Sequence, residues 1–144
     1  MTNQDTQINE EELQQQIAQW QHTALQTAQK YLAEKGILGL SIQATESRTL
    51  PPVCGVWKIK DNKGKGYWVI SGKMPTDSMP VSGAATARDA LKHFSYQWHM
   101  KADKILNAER TDPMQVEYAN ILIHHAQGLY ELADNEQLWA NEAS

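Results

Sequence analysis

The chain has 144 residues, 41% of them hydrophobic and 21% charged, with a formal net charge of −4. That apolar fraction excludes a disordered chain, and the densest apolar run, Tyr67-Trp68-Val69-Ile70, falls far short of the about 20 residues a membrane span needs. The one cysteine, Cys54, excludes a disulfide framework and a multi-thiolate zinc site; with no secretory leader in view, the expected setting is the cytoplasm.

Residues 1–8 are polar and expected to fray. Asn9, with Glu12 three residues on, has the form of a capping box. Leu13, Ile17, Trp20, Ala24, Ala28, Tyr31 and Leu32 follow at helical spacing, and Gly36 supplies a stop. The first helix is therefore expected over about residues 10–35. Leu40, Ile42 and Ala44 alternate with polar residues, as in a half-buried strand, and Pro51-Pro52 ends it. Cys54 to Lys60 and Gly66 to Ser71 form a hairpin around Gly64. Its register stays open. A two-residue turn at Lys63-Gly64 puts Trp57 and Ile59 on one face with Trp68 and Ile70; a three-residue turn with a bulge at Gly64 pairs them with Tyr67 and Val69 instead. Both place Lys58 and Lys60 opposite Trp57.

Gly72 to Gly83 is expected to be a loop stiffened by Pro75 and Pro80. Thr86 with Asp89 starts a second helix, whose apolar series is Ala87, Leu91, Phe94, Trp98, Ala102 and Ile105. Asp112-Pro113 starts a third, with Tyr118, Leu122, His125, Leu129 and Leu132 on its stripe. The expected fold is α+β in the order α-β-β-β-α-α. A small antiparallel sheet packs against a long N-terminal helix and a C-terminal antiparallel helical hairpin. One domain is expected over 9–139, with flexible ends at 1–8 and 140–144.

Charge is segregated along the chain. Residues 48–110 hold eleven bases against five acids, and residues 111–144 hold six acids and no base. The basic middle could be a binding face, or it could be neutralised in the fold by the acidic ends. Cys54 lacks a base placed beside it by spacing, and packing accounts for it. His93, His99, His124 and His125 lack the i,i+3 or i,i+4 spacing of metal ligands on one helix face. Gly64-Lys65-Gly66 lacks the spacing of a phosphate-binding loop. No cofactor and no metal are expected. Lys58, Lys60, Lys63, Lys65 and Lys73 with Tyr67 could hold nucleic acid, or could be solvated lysines that protect a sheet edge.

The candidate binding patch is Thr76, Asp77, Ser78, Arg88 and Lys92, where the loop from Lys73 to Ser82 meets the start of the second helix. Two prolines hold the loop in shape, and the helix N-terminus with Arg88 and Lys92 attracts anions. An Asp77–Arg88 ion pair is the structural alternative.

Gly55 to Lys60, Gly66 to Gly72, Met74-Pro75-Thr76-Asp77, Met79-Pro80, Ala87 to Ser95 and Tyr118-Ala119-Asn120 together resemble a small bacterial family known as a domain of unknown function, numbered 4826. The likeness spans most of residues 20–139. It makes Trp57, Trp68, Pro75, Thr76, Asp77 and Arg88 family features and carries over no reaction, cofactor or partner. The leading functional reading is a non-enzymatic cytoplasmic interaction module, with another protein as the expected partner and no membrane. The alternative is RNA binding through the lysine hairpin. Double-stranded-RNA-binding domains share the α-β-β-β-α order, but Thr86-Ala87-Arg88-Asp89 stands where they carry lysines. A third reading is a small enzyme using Asp77 with His93 or Cys54.

Overall fold

Thirty-three residues at the start of the chain form one helix, α1 (Thr2–Glu34). The computed structural model describes residues 2–110 and 112–140, with side chains from Asn9 onward; the expected flexible end at 140–144 falls almost wholly outside them. Asn9 and Glu12 lie inside α1 and are exposed, so they form no cap. The stretch contains no glycine or proline, and its glutamines and glutamates are good helix formers, so nothing halts the helix at Asn9. Gly36 (φ 82) ends it in a Schellman motif: Ile37 N–H donates to Leu32 O and Gly36 N–H to Ala33 O.

The chain divides into two compact units, one ending at Pro80 and the other beginning at Val81. In the first unit, α1 buries Ala24, Ala28 and Leu32 against Trp57, Ile59 and Val69. Leu13 remains 55% exposed, so the apolar stripe is covered only over its later part.

The sheet has five antiparallel strands rather than three: β1 (Ser41–Ile42), β2 (Arg48–Leu50), β3 (Cys54–Lys60), β4 (Gly66–Gly72) and β5 (Asp77–Pro80). Both β1 and β2 pair with β3, and β5 pairs with β4. The strand expected around Leu40 to Ala44 breaks after Ile42, where the chain turns through Gln43 to Ser47 before resuming as β2. Lys58 of β3 bridges the break. Its carbonyl accepts from Gln43 N–H (2.8 Å), and its N–H donates to Ser47 Oγ (2.9 Å), so a hydroxyl stands where a strand backbone would.

The hairpin takes the bulged register: Trp57 pairs with Val69 and Ile59 with Tyr67. Gly64 adopts φ 82, its N–H donates to Asp61 O, and Asp61 Oδ1 accepts from Lys63 and Lys65 N–H at 2.9 Å each. Trp57, Ile59 and Val69 thus share the face that α1 covers. Cys54, Val56, Trp68, Ile70 and Met79 occupy the other face and are all buried. The segment read as a loop over 72–83 instead contains β5, followed by a single 3-10 turn at Val81–Gly83. Pro80, the last residue of this edge strand, is where proline is tolerated.

The second unit is helical: α2 (Ala87–Leu106), α3 (Pro113–Asp134) and the short α4 (Glu136–Trp139). Thr86 caps α2 by accepting from Asp89 N–H, and Asp112 caps α3 by accepting from Met114 N–H, with Pro113 in the first turn. Trp98 is 2% exposed, as its stripe requires. On α3 the buried line is Ala119, Leu122, Ala126, Leu129 and Ala133, and His125 lies at its margin. The small alanines bring α2 close enough for Ser95 Oγ to donate to Ala126 O (2.7 Å). Asn135 caps α4, which buries Trp139. No described helix is long and apolar enough to cross a membrane.

Candidate functional site

Thr76, Asp77 and Ser78 belong to the first unit, in β5 and the residue before it; Arg88 and Lys92 stand one turn apart on α2 in the second. Asp77 Oδ1 accepts from Ser78 N–H (2.8 Å) and from the Tyr31 hydroxyl at the long distance of 3.5 Å. Lys35 sits over the Tyr31 ring, and its hydrogen bond with Tyr31, helped by the charge of Asp77, raises its pKa against the opposing effect of burial. These contacts brace the end of α1 against β5. Arg88 is held within its own unit: Nε donates to Ala133 O (2.8 Å) and Nη2 to Glu136 Oε1 (3.0 Å). It neutralises the carbonyl end of α3. Lys92 is exposed.

Of the residues named for an enzyme, Asp77 and Cys54 lie in the first unit and His93 lies on α2 in the second. Cys54 is completely buried, and burial pushes its thiol up to about 12. Burial thus disfavours the thiolate that a nucleophile needs. Among the described residues no three of His, Cys, Asp and Glu gather as metal ligands would. At the lysine hairpin, Lys58 pairs with Glu46 (3.1 Å) and lies over the Trp68 ring. Asp61 sits at the tip. Burial opposes ionisation of its carboxyl, but the N–H groups of Lys63 and Lys65 and the Tyr67 hydroxyl outweigh it and hold the pKa low. The tip therefore keeps a negative charge among its lysines.

The first unit also contains a groove that no single stretch of sequence announces. It lies where α1 passes the interrupted sheet edge, an open depression of about 320 Å³, at the lower end of ligand-pocket volumes. Gln21, His22 and Leu25 come from α1, Ile42 from β1, Ala44 and Ser47 from the turn, and Thr49 from β2. Trp57 of β3, the one buried lining residue, is the floor. Gln21 Nε2 donates to Thr49 Oγ1 (2.8 Å), which ties the helix to the edge.

The floor is fixed on several sides. Trp57 Nε1 donates to Ser71 Oγ (3.0 Å), and Ser71 Oγ donates to Ala24 O of α1 (2.6 Å). A Cβ on Gly55 would meet the Trp57 ring at 2.6–2.8 Å, so the indole lies down on the sheet only because residue 55 is glycine. The pair Gly55 and Trp57, two apart on one strand face, is the one sequence signal that could have pointed here.

A family model matches residues 13–139. The chain belongs to the family described as Domain of unknown function (DUF4826). No curated protein and no solved structure matches it. The DUF4826 match contains the whole groove as well as Thr76 to Ser78, Arg88 and Lys92. Of the residues marked by the family resemblance, Trp57 floors the groove, Trp68 is core, and Arg88 holds the end of α3.

Proposed function

We propose that this DUF4826 protein is a non-enzymatic binding module of the cytoplasm, and that the groove between α1 and the β1–β2 edge is its binding site. The observation that carries the reading is the groove itself: an aromatic floor held in place from below and behind, with side-chain amide and hydroxyl groups beside it. Such a cavity, mostly apolar with a few polar groups, is what small-molecule recognition uses. The cytoplasmic placement rests on the single, free Cys54.

Leu25→Trp is the test. Leu25 lines the groove and is only half-buried, so a larger side chain there fills the cavity. Ligand-observed NMR with a fragment set should find binders for the wild type that the folded Leu25→Trp variant no longer retains. Equal retention by both proteins would dismiss the groove. RNA binding through the hairpin is the second reading, supported by exposed Lys60, Lys63 and Lys65. It requires a steep loss of affinity with salt, and a flat filter-binding curve at low salt discards it.

A further inference from the structure

We infer that the groove takes a small neutral carboxamide attached to a flat apolar ring. The inference rests on the reading of the groove as the binding site and assigns its ligand class.

Charge comes first. None of the side chains lining the groove is Lys, Arg, Asp or Glu. A charged ligand would give up hydration there and gain no permanently charged partner, since the only lining side chain able to carry charge is the exposed His22 imidazole.

The polar handles come next. The hydrogen bond from Gln21 Nε2 to Thr49 Oγ1 leaves two complementary groups side by side. The Thr49 hydroxyl, having accepted, keeps its own proton to donate; the Gln21 side-chain carbonyl keeps its lone pairs to accept. A carboxamide matches both at once. Its carbonyl accepts from Thr49 Oγ, and its N–H donates to Gln21 Oε1. A carboxylate would set an acceptor against the Gln21 carbonyl, and an ammonium would leave the Thr49 proton without an acceptor.

Shape completes the assignment. Apart from His22 and Ser47, whose hydroxyl is spent on Gln43 O and Lys58 N–H, the remaining lining is apolar, with Leu25, Ile42 and Ala44 beside the Trp57 floor. A volume of about 320 Å³ admits one ring with its substituent rather than a long chain. Because Trp57 is pinned through Ser71 and by the closeness of Gly55, the ring enters a preformed surface.

The test titrates the full chain with four probes of one shape: benzamide, benzoate, benzylamine and toluene. It follows the Gln21 side-chain amide, the Thr49 backbone amide and the Trp57 indole N–H by NMR. Benzamide should shift all three saturably in the millimolar range, and benzoate and benzylamine should bind at least about tenfold more weakly. Thr49→Val, confirmed folded by its thermal melt, should reduce benzamide to the level of toluene. Benzoate or toluene binding the wild type as tightly as benzamide would overturn the amide assignment and leave the groove as a binding site. If none of the four probes moves Thr49 or Trp57, both this inference and the groove reading fall.

Discussion

The two edges of the sheet are finished in opposite ways. At one edge β5 runs unbroken along β4; Met79 is buried, Pro80 ends the strand, and Asp77 bonds its own neighbour's N–H while Tyr31 reaches across from α1. At the other edge the chain leaves β3 between β1 and β2, and Ser47 fills in for the missing backbone partner. A continuous strand follows its neighbour along its whole length, whereas an interrupted one leaves room beside the helix. Unusual composition marked the first edge and bland residues make up the second. The comparison teaches that prolines and a cluster of Thr, Asp and Ser can sit in a regular edge strand, while a groove forms where the ladder is broken.

The largest effect expected at the continuous edge comes from Met79→Ala. Truncating this buried side chain should cost about 2–5 kcal/mol by denaturant unfolding and leave fragment binding at the groove unchanged. A variant that stays folded but loses binding would mean that the two edges are not independent. Gly55→Ala comes next. The new Cβ cannot coexist with the Trp57 ring where it lies, so a loss of about 1–3 kcal/mol is expected. The Trp57 indole resonance should move with it. An unchanged melt and an unchanged indole signal would show that the floor is not pinned.

Asp77→Ala should cost about 1 kcal/mol, the worth of its hydrogen bond to Ser78 N–H, and should not alter groove binding. Lost binding there would restore the Thr76 to Ser78 segment as a site. The smallest effect lies in the second unit. Burial first, and the neighbouring His124 second, hold His125 below the usual imidazole value of 6.5. The unfolded chain takes this proton more readily than the folded one. Stability should therefore decline as pH falls through about 6.5, and His125→Gln should flatten that slope in pH-dependent melts. Groove binding by a neutral amide should be indifferent to the same substitution.

Much of the fold was legible in local chemistry. Thr86 with Asp89, and Asp112 with Pro113, mark the two long C-terminal helices because a cap side chain bonds the backbone right beside it. The hairpin was legible too, but its register was decided by Gly64 and by the Asp61 carboxylate gripping two N–H groups, which alternation alone cannot weigh. Strands β2 and β5 escaped notice because three or four residues are too few for a period to show, and prolines stand beside both. The start of α1 was misplaced because Asn9 resembles a cap wherever it occurs, whereas the helix formers on both sides of it, with no glycine or proline among them, carry the helix through. The candidate patch was drawn from charge and loop chemistry, and Arg88 proved to be engaged by Ala133 and Glu136, far along the sequence. The groove could not be read at all from composition. Its walls come from four separate elements and a turn, and each residue alone looks like ordinary packing or surface.

The central claim is that binding occurs at the interrupted edge and not at the continuous one. A backbone and side-chain NMR map of the full chain during a benzamide titration tests it most directly. The account predicts saturable shifts confined to Gln21, His22, Ala44, Thr49 and the Trp57 indole, with Thr76 to Ser78 unmoved. Shifts centred on Thr76, Asp77 and Ser78, with the groove silent, would contradict it.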